Sequence, residues 1–302
     1  MVSKNLTAKL EQMRPWILTA RPKTLVASFV PTFIGTSLAI GLTKTFEGWT
    51  ALFALLSAIF IQTGTNLVND ALDFQKGADN EARLGPVRVT QLGLLTSQQI
   101  LWGGLLSFLL ALCVGIPLVL KGGPILFLTL VLSAICGYLY TGGPFPLAYV
   151  GLGDLFVIIF FGWVATCSAF YLQTGNLGIL ALLAGTQVGL HSTVMIAINN
   201  LRDVEGDAKV NKRTLAVRFG KVFVRKEITF LIFCPFILNL AWLMAGFYLA
   251  ATLPLLLLPL AIRLNQDIWK TEPSPAYNGF LARGALLHFI FGGLQGLGFI
   301  LS

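Results

Sequence analysis

Nine apolar stretches set the limits on what this chain can become. They cover 24–42, 49–68, 99–119, 125–141, 152–172, 177–198, 228–247, 250–264 and 283–301. A helix needs roughly 20 apolar residues to cross the hydrocarbon of a bilayer, and most of these stretches approach that length. The eighth is short and interrupted by Pro254 and Pro259. Only 11% of the residues are charged, against roughly 25% in soluble domains. A water-soluble enzyme and a disordered chain are both excluded on that ground. The expected fold is an all-α integral membrane protein with nine transmembrane helices in one bundle, forming a single domain over 1–302.

The 23 residues before the first stretch carry Lys4, Lys9, Arg14, Arg21 and Lys23, with no continuous apolar run of the kind a secretory signal needs. Leu6, Leu10, Met13 and Ile17 recur at helical spacing. Segment 1–23 therefore reads as a basic amphipathic helix lying on a membrane surface.

The net charge of +8 raises the question of a nucleic-acid partner. Its distribution answers against one. With nine spans, 19 of the 21 Lys and Arg fall on the side of the N-terminus, and only Lys44 and Lys121 fall on the other. The positive-inside rule then places the N-terminus in the cytoplasm of a cell-membrane protein. Of the 13 acidic residues, only Glu47 lies on the far side. Two long cytoplasmic loops, 70–98 and 199–227, gather both signs of charge and mark the expected active-site face.

Those loops begin alike. Helix 2 ends in Asn66, Asp70 and Asp73, followed by Asp79; helix 6 ends in Asn199, Arg202, Asp203, Glu205 and Asp207. In each, an Asp follows the Asn by four residues, and a second Asp follows three or four later. Such spacing puts the Asn and both Asp on one helix face. Carboxylates held this close repel and raise one another's pKa; a divalent cation relieves the conflict. Oxygen-only ligands suit Mg²⁺, which commonly takes substrate phosphate oxygens as well. The absence of His or Cys from either motif argues against zinc. Sites built at the interface of internal repeats are a habit of membrane folds. The flanking cations Lys76, Arg83 and Arg88, and Lys209, Lys212, Arg213 and Arg218, fit a substrate bearing several phosphate charges. Gly85 and Pro86 form a turn that folds the first loop over the site.

These motifs resemble the UbiA superfamily of intramembrane aromatic prenyltransferases, over most of the chain. Further segments resemble its 1,4-dihydroxy-2-naphthoate prenyltransferase (MenA-type) branch. They are 20–25 (Ala-Arg-Pro-Lys-Thr-Leu), 83–88 (Arg-Leu-Gly-Pro-Val-Arg), 140–144 (Tyr-Thr-Gly-Gly-Pro), 151–157 (Gly-Leu-Gly-Asp-Leu-Phe-Val) and 199–203 (Asn-Asn-Leu-Arg-Asp). Asp207, Lys212 and the segment 214–218 belong to the same pattern. Asp154 is a departure, since that branch more often carries Glu there.

The resemblance implies transfer of a polyprenyl group from polyprenyl diphosphate to 1,4-dihydroxy-2-naphthoate, with loss of CO₂ and diphosphate, giving demethylmenaquinone. It implies Mg²⁺, as two ions bridging the diphosphate, on Asp70, Asp73, Asp203 and Asp207, with Asp79 and Glu205 as further candidates. Asn66 and Asn199 become diphosphate or metal contacts. Arg21, Arg83, Arg88, Arg202 and Lys212 become candidate contacts of the diphosphate, and Lys23 of the acceptor's carboxylate. Tyr140 and Asp154 fall on the acceptor side of the pocket. The expected partners are polyprenyl diphosphate, dihydroxynaphthoate and membrane lipids.

Other readings compete. Phytyl or other prenyl transfer to a related aromatic acceptor uses the same motifs. A transporter of an anionic metabolite places its ionisable groups near the bilayer midplane, whereas these cluster at one face. A CDP-alcohol phosphotransferase needs Gly after its first Asp, and Ala71 follows Asp70. Cys113, Cys136, Cys167 and Cys234 form no CxxC pair and read as small buried hydrophobes. His191 and His288 read as helix-packing residues.

Overall fold

The computed structural model describes residues 13–78 and 83–302. Among these the chain is all-helical, with no strand. Residues 13–20 are helical, the part of the expected surface helix that is described; 1–12 lie outside. Trp16 of this turn packs on Gly103, where a Cβ would overlap its ring. Met13, Ile17 and Leu18 remain exposed, as a helix seated at a lipid surface requires.

The long elements are α1 (Val26–Thr43), α2 (Gly48–Gln75), α3 (Ser97–Gly122), α4 (Pro124–Leu139), α5 (Gly153–Thr174), α6 (Ile179–Arg202), α8 (Leu215–Met244), α9 (Tyr248–Lys270) and α10 (Tyr277–Leu301), with the short α7 (Val204–Lys209) between α6 and α8. Among the described residues, eight are long and apolar enough to cross a membrane. The apolar α4 is shorter, at 16 residues, about 24 Å of helix. The protein is a multi-pass membrane protein.

Several boundaries differ from the sequence expectation for identifiable reasons. α9 runs through both prolines because the chain tightens into a 3₁₀ turn at Leu253–Leu257, and Pro259 then sits at the start of a new α-helical segment, where its missing N–H costs little. α8 starts well before the expected 228 but breaks at Gly220, whose φ of 84° leaves the helical region. α3 opens with a reciprocal cap: Gln99 N–H donates to Thr96 Oγ1 and Thr96 N–H donates to Gln99 Oε1. Within α5, Ile158–Val164 widens into a π-helix.

Packing follows membrane rules. Small residues let backbones approach: a Cβ on Gly162 would come to 2.5 Å of the Gly185 carbonyl where α5 crosses α6. A buried amide cluster ties α6, α8 and α10 together. Gln187 donates to Asn239 Oδ1 (2.8 Å) and to the Pro235 carbonyl (2.7 Å), and it accepts from Trp242 (2.6 Å) and Gln295 (3.0 Å). Large apolar side chains such as Leu106, Ile237 and Met244 face outward, which suits lipid. Charge is segregated along the bundle: Lys121 pairs with Glu47 at one end, and the acidic motifs lie at the other.

Candidate active site

α2 turns a polar face inward at its end. Gln62, Asn66, Asp70 and Asp73 are all buried there, at the three- and four-residue spacing that puts them on one stripe. α6 carries the second motif to its last turn, where Asp203 leaves helical geometry (ψ 9°) and lets α7 begin. α7 brings Asp207 back beneath Asp203, its N–H bonded to the Asp203 carbonyl at 2.8 Å. Asn211, at φ 57°, reverses the chain, and Lys212 then reaches Asp207 at 3.5 Å.

The two helix ends enclose a cavity of about 360 Å³. Asp73, Asp203, Asp207 and Glu205 line it, as do Asn66, Asn199 and Tyr140. So do the cations Arg21, Arg83, Arg88, Arg202 and Lys212. The structure thus brings most of the expected site residues to one cavity.

Their partners divide the work. Arg202 is almost fully buried and forks onto both Asp203 oxygens (2.8 and 2.6 Å), while also donating to Asn199 Oδ1 at 2.5 Å. Arg202 therefore orients the second motif. Each carboxylate oxygen keeps a further lone pair for another ligand. Asn66 donates to the Ala20 carbonyl at 2.9 Å, and Gln62 to the Thr24 carbonyl at 2.6 Å. These bonds fix the turn that carries Arg21. Arg21 itself is held at φ 54°, ψ 66°, a left-handed conformation uncommon outside glycine. Its Nη2 is buried with no hydrogen-bond partner.

Burial lowers the pKa of Arg21 and Arg83, opposed by Asp70 and Asp73 for the first and by Asp203 for the second; both stay charged. Burial also works against the Lys212 ammonium, but Asp73, Asp207 and Asp203 outweigh it and hold its pKa above the ordinary lysine value. Asp207 is pushed up to about 6 by burial, against the pull of Lys212 and with help from Asp203 and Asp73. Its Oδ2 is buried and unpartnered. A buried carboxylate oxygen without a partner, under the influence of Asp203 and Asp73, is a group open to a further ligand. No group of three or more acidic, His or Cys side chains among the described residues forms a cage by itself. Oxygen donors short of a full cage suit Mg²⁺, which completes its shell with water and substrate phosphate.

Three expected residues stand off the cavity wall. Asp70 is buried behind it, accepting from Thr90 at 2.7 Å, and acts on the site through its attraction to Arg21. Lys23 is exposed. Asp154 is buried at the start of α5 with Oδ1 unpartnered. Asp79 lies outside the described residues.

The sequence reading missed Tyr149. Its hydroxyl donates to Asp73 at 2.9 Å, and Lys76 and Lys212 lie 4.4 and 5.6 Å from its ring centre. Burial and Asp73 raise its pKa, so it remains a donor. It also missed Asn69 and Thr141, bonded to each other on the wall, and Asn278, which accepts from Arg202 at 2.6 Å. Asn69 lies within the first acidic motif but at a position the second copy fills with Arg202, and Tyr149, Thr141 and Asn278 lie outside both copies, so the shared spacing gave no signal for them.

A second cavity, about 130 Å³ and almost wholly apolar, adjoins the first. Thr65, Tyr140, Val157 and Phe161 line both. The last two sit at or in the π-helical stretch of α5, a distortion often found at functional sites.

Residues 28–287 match the model of the UbiA prenyltransferase family. The chain belongs to that family. A relative from Escherichia coli, called 1,4-dihydroxy-2-naphthoate octaprenyltransferase, is 37% identical over 224 residues, 72% of each chain. One of the same name from Mycobacterium tuberculosis is 37% identical over 213 residues, 70% of this chain and 71% of that one. Among solved structures, a UbiA homologue from Archaeoglobus fulgidus bound to DMAPP and Mg²⁺ aligns with a TM-score of 0.62 at 18% identity, covering 95% of this chain and 99% of that one. An apo UbiA homologue from Aeropyrum pernix reaches 0.69 at 15% identity, covering 93% and 98%. The protein is a UbiA-family prenyltransferase with the UbiA fold.

The Arg202 fork yields a prediction. Arg202→Lys keeps the charge but cannot hold both Asp203 oxygens and Asn199 in one plane. Turnover of the purified enzyme should fall by about 10- to 100-fold, the factor that 1.4 to 2.7 kcal/mol of lost positioning represents, while its helical circular dichroism persists. Wild-type turnover in this variant would show that the fork does not orient the site.

Proposed function

We propose that the protein transfers a polyprenyl group from its diphosphate to 1,4-dihydroxy-2-naphthoate, with loss of CO₂, for menaquinone biosynthesis. The observation that carries this reading is the join between the two cavities. A wall of carboxylates and cations gives way, at Tyr140 and Phe161, to an apolar chamber. A molecule with a diphosphate head and a hydrocarbon tail is divided in the same way. The relatives that are 37% identical are called dihydroxynaphthoate octaprenyltransferases, which supports this acceptor.

In this reading Arg21, Arg83, Arg88 and Lys212 hold the diphosphate. Asp73, Asp203 and Asp207 hold Mg²⁺, taken as two ions, with Asp70 behind them. Bound there, Mg²⁺ neutralises charge gathering on the leaving diphosphate. The C1–O bond of the prenyl diphosphate breaks, and its electron pair leaves with the diphosphate. The cations on the wall are already oriented to receive that charge, so little reorganisation is needed as it develops. The ring carbon bearing the carboxylate then bonds to C1. The bond to the carboxylate breaks, CO₂ departs, and the pair restores the aromatic ring. The immediate product keeps both ring hydroxyls and is the quinol form of demethylmenaquinone. Tyr140, protonated because burial and Asp154 raise its pKa, offers a donor to the acceptor's oxygens at the mouth of the apolar chamber. Lys23 and Asp154 lie outside this wall. Burial keeps water from the cation.

Two experiments test this function. With Mg²⁺, an all-trans polyprenyl diphosphate and dihydroxynaphthoate, mass spectrometry should show a prenylated product lacking the carboxyl group, and EDTA should abolish it. Asp73→Ala and Asp207→Ala should each lower turnover by at least about 100-fold. Product that retains the carboxyl group, or undiminished activity in either variant, would contradict the assignment. By the positive-inside rule, the charge distribution supports a site on the cytoplasmic face of the cell membrane, as part of the same proposal. A cysteine at position 44 should react with a membrane-impermeant maleimide in intact cells and one at position 209 should not; the reverse pattern would invert the topology.

A further inference from the structure

Asn278 belongs to neither acidic motif, yet it joins the second to the loop between α2 and α3. It sits in the first turn of α10, where its N–H bonds the Pro275 carbonyl at 3.1 Å. Its neighbour Tyr277 is fully buried and donates to the Thr271 carbonyl at 2.9 Å. The backbone at this point is therefore fixed from below. The short amide side chain is engaged at both ends. Oδ1 accepts from Arg202 Nη1 at 2.6 Å, and Nδ2 donates to the Leu84 carbonyl at 3.1 Å.

What stands at those two ends gives the contact its meaning. Arg202 is the guanidinium that grips Asp203 and Asn199. Leu84 belongs to the segment 83–88, whose Arg83 and Arg88 line the cavity. The same segment is pressed against Arg202, since a Cβ on Gly85 would come to 2.6 Å of its Nη2. One amide thus bridges an element of the bundle, the clamp on the second acidic motif and the loop that carries two of the wall's cations.

We infer that Asn278 is a positioning residue for prenyl transfer: it fastens the 83–88 segment to Arg202, and so sets Arg83 and Arg88 at one spacing from Asp203 before the diphosphate arrives. The inference rests on the reading of this cavity as the diphosphate site. Its physical basis is preorganisation. A loop free to wander is ordered at the moment of binding, and that cost appears as weaker binding. A loop already fastened has met it during folding. Loss of Asn278 should therefore weaken substrate binding more than it slows the bound complex.

Two substitutions separate the two ends of the bridge. Asn278→Ala removes both bonds. Asn278→Asp keeps an acceptor for Arg202 but loses the donor and turns a carboxylate toward the Leu84 carbonyl. Both should raise the KM for a polyprenyl diphosphate by about tenfold, in line with one lost hydrogen bond and a loop to be ordered. The kcat at saturation should stay within about threefold in both. In the enzyme without substrate, amide hydrogen exchange across 83–90 should be faster in both variants than in the wild type. A purely structural role at the start of α10 would instead lower thermal stability and kcat together, with KM and loop exchange unchanged. That pattern, or wild-type KM and exchange in both variants, would overturn the inference. The exchange measurement needs no substrate, so it is separable from the prenyl-transfer reading. That reading fails on its own if the wild-type enzyme forms no prenylated product.

Discussion

Arg202 and Asp203 exchange two hydrogen bonds where the guanidinium is almost closed to water, and the site depends on that fork. A buried charge without a partner is strongly destabilising, whereas a fork with its remaining donors satisfied is tolerated. Arg202 meets the condition by giving its other donors to Asn199 and Asn278. α6, α7, α10 and the 83–88 segment are thereby drawn to one point. The first motif is held by neutral donors instead: Tyr149 on Asp73 and Thr90 on Asp70. The two halves are alike in sequence and unlike in support. The second is clamped by a cation, while the first keeps its carboxylates in hydrogen bonds that a stronger ligand can share.

The same reasoning explains the composition. A membrane protein has few charges to place, and here they are placed against one another. Asp73, Asp203 and Asp207 hold Lys212 charged within the protein. The orphaned atoms, Asp207 Oδ2 and Arg21 Nη2, are of opposite character and belong to residues of the same cavity wall. In the function we propose, a metal diphosphate would bring a cation for one and an anion for the other. The apolar chamber beside them completes the fit for a substrate with a charged head and a hydrocarbon tail.

Much of this was legible in the sequence, because membrane helices and repeated acidic motifs are both strong periodic signals. α2 carries Asn66 and Asp73 near its end, but the second motif is split, because the helix breaks at Asp203 and Asp207 stands on α7 rather than on the face of α6; all four line one cavity with Asn199. Where the reading fell short, the cause was three-dimensional. Asp70 shares the helix stripe with Asp73, but Thr90 folds back from the loop and covers it. Arg202 looked like a substrate contact, yet its donors are engaged within the protein. Tyr149 and Asn278 come from a loop and a distant helix, and only tertiary packing brings them to the site. The eighth stretch, 250–264, rightly ran through both prolines, but α9 continues to Lys270, because the polar residues after Leu264 end the apolar run without ending the helix.

The central claim is that carboxylates of both motifs share one metal–diphosphate site that opens into the apolar chamber. Its most direct test is a structure of the protein with Mn²⁺ and a polyprenyl thiodiphosphate that cannot ionise, with the metal located by anomalous scattering. The account predicts metal peaks between Asp73 and the Asp203–Asp207 pair, diphosphate against Arg21 and Lys212, and hydrocarbon passing Phe161 into the apolar cavity. Metal bound by one motif alone, or a chain lying outside that cavity, would contradict it.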